Sequence, residues 1–114
     1  MKKKKNKQSI AIDIPVAQFQ DTPWKGELDK LPPNQTFYLN IDYPIDGPGH
    51  SFLIKTGKHG LGLIGLLNEI GSAYEEIYKA PERNRVYGHS INDLIIEGIN
   101  IDFKNKLITL DVGS

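Results

Sequence analysis

The chain has 114 residues, enough for one domain with a modest core and too few for a second. Hydrophobic residues make up 39% and charged residues 25%, which excludes disordered, collagen-like and low-complexity classes. Fourteen Lys and Arg offset fourteen Asp and Glu; the lack of cysteine excludes disulfides, thiolate nucleophiles, iron–sulfur clusters and cysteine-based zinc sites.

The zero net charge hides an asymmetry. Lys2, Lys3, Lys4, Lys5 and Lys7 crowd the start of the chain, leaving nine basic against fourteen acidic side chains elsewhere. Residues 1–8 read as a basic, disordered tail and residues 9–114 as a single α+β domain. The lysines suit the start of an export signal, but Asp13 and Pro15 interrupt the apolar run such a signal needs. No stretch approaches the ~18 apolar residues of a membrane span, so a cytoplasmic protein with no membrane partner is expected. The lysine arm could attract nucleic acid. Five lysines without arginine or aromatic neighbours attract phosphate only weakly and salt-sensitively, and the acidic body opposes them.

Ile10, Ile12 and Ile14 alternate with Ala11 and Asp13, the period of a half-buried strand. After Pro15 the chain is irregular. Thr22 and Pro23 could open a short helix through Leu28 and Leu31, stopped at Pro32 and Pro33. Phe37, Leu39 and Ile41 share one face of a second strand, and Ser51 to Thr56 forms a third. Asp46-Gly47 and Pro48-Gly49 between them mark an antiparallel hairpin with a long loop.

From Leu61 the period lengthens. Leu63, Leu66, Leu67, Ile70, Ala73, Tyr74 and Ile77 recur at helical spacing, predicting an amphipathic helix of about five turns stopped by Pro81. Its stripe needs a sheet to cover. Gly62, Gly65 and Gly71 cost up to ~1 kcal/mol each relative to Ala, a cost explained by close approach of helix to sheet. Ser90 with Asp93 is a capping-box variant predicting one helical turn. Two strands follow, with Ile99, Ile101 and Phe103 on one face and Ile108, Leu110 and Val112 on the other strand's. Lys104-Asn105-Lys106 turns between them, and Gly98 marks a bulge. The order β-β-β-α-β-β predicts a mainly antiparallel sheet of four or five strands with one long helix across a face.

The best candidate for chemistry is the third strand's junction with the helix. Residues 60–65, Gly-Leu-Gly-Leu-Ile-Gly, match the dinucleotide pattern letter for letter. A dinucleotide fold is nevertheless excluded: Lys55 to His59 separate strand from motif, no second strand ending in Asp or Glu follows, and half the chain lies in hairpins. What stays open is a looser anion, phosphate or nucleotide site at Lys58, His59, Gly60 and Gly62. The plainer reading is a tight turn and helix–sheet contact.

His50, His59 and His89 each adjoin a glycine and fall on loops, without the spacing that argues for a metal. Ser90 and Asp93 lack a nucleophile elbow and are explained by capping. Glu75 and Glu76 fall on the polar side of the helix; Asp102 and Asp111 read as the wet face of the sheet. Trp24, bounded by prolines, is either a core edge or a binding anchor.

No catalytic constellation, cofactor site or metal set stands out. The expectation is a non-enzymatic protein-binding module, of the inhibitor or immunity-protein kind. Its acidic body would dock on a basic partner through Trp24, Glu75, Glu76, Asp102 or Asp111. The alternatives are the anion site and weak nucleic-acid binding by the lysine arm.

Overall fold

The computed structural model describes residues 6–17 and 31–114. The expected helix after Thr22, together with Trp24 and Lys2 to Lys5, lies outside them. The elements are β1 (Lys7–Pro15), β2 (Thr36–Ile41), β3 (His50–Lys55), α1 (Leu63–Tyr78), β4 (Ile95–Asp102) and β5 (Leu107–Gly113). A single 3-10 turn, Ile91–Asp93, precedes β4. The expected α+β order is the observed one.

The strands form one five-stranded sheet in the order β1-β4-β5-β2-β3. Pairing is antiparallel except for β2 with β5, which run parallel where Tyr38, Leu39 and Asn40 meet Leu107, Ile108 and Thr109. β1 begins at Lys7, opposite Asp102, so Lys7 and Gln8 belong to the sheet and not to a tail. Strand alternation sends Ile12, Ile14, Phe37, Leu39, Ile41, Ile54, Ile99, Ile101 and Ile108 to one face. There they meet the buried stripe of α1, which comprises all seven expected residues from Leu63 to Ile77. Each fully buried Leu or Ile contributes about 1.5–3 kcal/mol to holding the helix on the sheet.

Two local devices set the register. Between Ile96 and Gly98 the pairing of β4 with β5 shifts, so Glu97 is the extra residue of a bulge. A Cβ on Gly98 would lie 2.9 Å from the Asp111 carboxylate and 3.2 Å from the Ile10 carbonyl, so glycine lets β1 approach there. In the β4–β5 turn, Asn105 donates from its backbone N–H to Asp102 Oδ1 at 3.0 Å and from its side chain to Oδ2 at 2.8 Å.

Polar side chains staple the loops. Thr56 is buried, donates to the Pro32 carbonyl at 2.6 Å and accepts from the Gln35 N–H at 3.0 Å. Buried Tyr74 donates to the Tyr43 carbonyl at 2.8 Å, and desolvation pushes its hydroxyl well above the ordinary tyrosine range. Ser90 N–H donates to Asp93 Oδ2 at 3.2 Å, one arm of the expected capping box.

Candidate interaction surface

The glycine-rich junction is occupied by the protein itself. Leu31 and Leu61 exchange two backbone hydrogen bonds, Leu31 N–H to Leu61 O at 2.8 Å and Leu61 N–H to Leu31 O at 3.1 Å. Gly60 sits between turn and bridge with φ +77, and a Cβ there would strike the Leu31 carbonyl oxygen. Its own N–H bonds the Gly57 carbonyl at 3.3 Å. Two amides of the motif are therefore already bonded within the chain.

Gly62 is the N-cap of α1, has extended backbone, and would carry a Cβ without meeting anything within 4 Å. At Gly65 a Cβ would meet the Leu61 side chain. Close approach to the sheet thus explains neither glycine, contrary to the sequence expectation. Lys58 and His59 lie exposed in the turn before the bridge, and no acidic side chain occupies the first turn of α1.

The histidines are separate. His50 Nε2 meets the Asn84 carbonyl at 2.9 Å, while His89 Nε2 lies 3.2 Å from Ser114 Oγ and its ring lies 5.8 Å from that of Tyr43. Tyr78 donates to the His89 carbonyl at 3.0 Å; desolvation, then the charge of Asp93, raises the pKa of that phenol. Among the described residues no three His, Asp or Glu side chains gather as a metal would require.

The four acidic candidates divide between opposite surfaces. Glu75 and Glu76 are exposed on α1, where Glu76 pairs with Lys79 at 3.0 Å, the one ion pair among the described residues. Asp102 and Asp111 project from the face of the sheet turned away from α1. Asp102 closes its turn, and the Asn105 backbone and side-chain donors hold its carboxyl below the usual range. Asn100 Nδ2 approaches Asp111 Oδ2 at 3.4 Å.

That second face of the sheet is the least expected surface. Among the described residues no element packs on it. Tyr38 stands opposite both Leu107 and Leu53, so one apolar row crosses β5, β2 and β3. The three are 50%, 37% and 59% exposed, respectively for Tyr38, Leu107 and Leu53. The adjacent row is polar across the whole sheet: Ser9, Asn100, Thr109, Asn40 and Ser51 stand successively opposite one another. Ser9 Oγ donates to Asn100 Oδ1 at 2.8 Å. The sequence carried a signal for the apolar row. Phe37-Tyr38-Leu39 and Phe52-Leu53-Ile54 are apolar at consecutive positions, hence on both faces of their strands.

No protein-family model matches the chain, and comparison with curated proteins and with solved structures finds no significant match. No helix of the described residues is long and apolar enough to cross a membrane.

Proposed function

We propose that the protein is a non-enzymatic binding module that docks another protein on the sheet face turned away from α1. The observation that carries this reading is the Leu107–Tyr38–Leu53 row, an apolar stripe held in solvent by three adjacent strands. A contiguous apolar row bordered by polar side chains is the composition of a docking surface: an anchor that desolvates, and a rim that sets orientation. Tyrosine suits the centre, since it buries a large rigid area with few rotatable bonds and keeps a polar tip.

Asp111 and Asp102 share this face with Lys7 and Lys55, so the charges around the row are mixed and would orient a partner of complementary pattern. Glu75 and Glu76, on the helix side, do not share that surface. An inhibitor-type role fits such a module, because blocking a partner needs a shaped surface and no chemistry of its own.

The test is partner capture from source-cell lysate by immobilised wild type and by surface variants. Tyr38→Ser combined with Leu53→Ser should reduce capture of a stoichiometric partner at least tenfold, since a central aromatic anchor is worth ~2 kcal/mol or more. Reversal of Glu75 and Glu76 should leave capture intact. Equal capture by the wild type and the Tyr38/Leu53 variant would refute the proposal.

A further inference from the structure

The two edges of the sheet are built differently. β1 carries Lys7, a register shift between Ala11 and Ile14, and Pro15 at its end, devices that discourage further pairing. β3 has no proline, and its pairing with β2 runs unbroken from Thr36 opposite Lys55 to Ile41 opposite His50. Only Lys55 guards it. Thr56 N–H donates to the Gln35 carbonyl at 3.0 Å, which fixes the alternation of the antiparallel ladder. His50, Phe52 and Ile54 turn their backbone groups to β2, and Ser51, Leu53 and Lys55 turn theirs outward. Among the described residues no strand meets them.

Beside this edge lies a groove. Near Ile54 its walls are Phe52 on β3 and Glu69, Ser72 and Ala73 on α1, an open cleft of about 150 Å³. Towards His50 it continues as a cleft of about 370 Å³ against Ile77, Arg83 and Asn84. α1 therefore runs opposite to β3, and the groove is as long as the strand.

Its charges are ordered. Glu76 is paired with Lys79, which leaves Glu69 at the Ile54 end and Arg83 at the His50 end. We infer that this groove takes an extended segment of a partner protein as a sixth strand, antiparallel to β3. That segment carries a basic side chain first, an apolar one in the middle and an acidic one last. An antiparallel strand enters at the Ile54 end, so its basic residue meets Glu69 and its acidic residue meets Arg83. Alternate side chains fall into the groove, and main-chain bonds to Ser51, Leu53 and Lys55 supply affinity. Six residues of β3 span ~20 Å, enough for about five or six ligand residues. A second copy is the poorer occupant: β3 itself, His-Ser-Phe-Leu-Ile-Lys, carries no acidic side chain and so offers Arg83 nothing.

This inference extends the docking proposal but uses a different surface, so the two can fail separately. The probe is the blocked peptide Ac-Lys-Thr-Val-Thr-Glu-amide against its reversed counterpart Ac-Glu-Thr-Val-Thr-Lys-amide, followed by fluorescence anisotropy on the full chain. The forward peptide should bind at least tenfold more tightly, and the double variant Glu69→Lys, Arg83→Glu should invert the preference. Both positions are exposed, so the fold is not at stake. Methylating alternate peptide nitrogens should abolish binding for one set and spare the other, as a strand with one bonded edge requires. Equal affinity for the two peptides, equal effects of the two methylation sets, or no binding at ~1 mM would overturn the inference. So would a dimer of the free protein that Ser51→Pro, which removes an outward N–H of β3, dissolves, since β3 would then serve self-association. None of these results touches capture through Tyr38 and Leu53.

Discussion

Gly60 and Gly62 belong to the same glycine-rich motif, and the structure assigns them opposite sensitivities. At Gly60, φ is +77 and a Cβ would strike the Leu31 carbonyl oxygen. Alanine there incurs left-handed backbone strain of ~1–2 kcal/mol. It also forces apart the Leu31–Leu61 bridge, whose two hydrogen bonds are worth ~0.5–1.5 kcal/mol each. The sum is a loss of about 2–5 kcal/mol, or a melting temperature at least ~8 °C lower for a domain near this size. At Gly62 the backbone is extended and a Cβ meets nothing. Alanine is a poorer N-cap than glycine but restricts the unfolded chain, so the net change stays within about 1 kcal/mol. Urea unfolding followed by circular dichroism, with thermal melts alongside, measures both. Similar midpoints for Gly60→Ala and Gly62→Ala would refute the argument that the motif exists to seat Leu31.

Thr56→Val should cost about 2 kcal/mol in urea unfolding, because it strands the Pro32 carbonyl and the Gln35 N–H; a neutral result would mean that solvent reaches both. Tyr74→Phe should cost ~1 kcal/mol at neutral pH through the bond to the Tyr43 carbonyl. Since burial raises the folded-state pKa of Tyr74, its contribution is complete below the ordinary value of 10.0 and is lost as pH rises beyond it. The wild type should therefore lose stability in alkali more steeply than the Phe variant. Asp102 shows the opposite sign. Its folded carboxyl titrates below the ordinary 3.8, so its contribution is present above that value and fades as pH falls through the folded one. The stability difference between wild type and Asp102→Asn, read as urea midpoints across the acid range, should shrink accordingly.

Much of the fold was legible because its signals are local. The seven apolar residues from Leu63 to Ile77 repeat at the helical period and all seven are buried. Gly98 breaks the alternation of Leu94 to Ile96 and marks the bulge, and Asp93 caps the turn that Ser90 opens. Strand order was not legible. Which strand lies beside β1 depends on how distant segments pack, and the parallel meeting of Leu39 with Ile108 has no signature in either segment. At Gly60 the tight turn was legible but its partner was not: that glycine answers to Leu31, a contact across the fold that no local pattern encodes. The exposed row of Tyr38, Leu53 and Leu107 is not encoded in the alternation of Phe37, Leu39 and Ile41, which reports only the core-facing side of the strand. Its signal lies in the intervening positions, where Tyr38 and Leu53 make their strands apolar on both sides.

The pairing of β1 with β4 bears on how the chain acquires its shape. Ser9 bonds to Asn100, a partner 91 residues away, so the first strand to be synthesised is among the last to find its neighbour. Closing a loop of that length costs ~4 kcal/mol in chain entropy before any contact repays it. The β2–β3 and β4–β5 hairpins can each zip from their own turn, whereas Ile10, Ile12 and Ile14 wait in solvent until residues beyond Leu94 have left the ribosome. During that interval the β1 segment is a sticky, unpaired ribbon, and the lysines that precede it add like charge that keeps nascent chains apart.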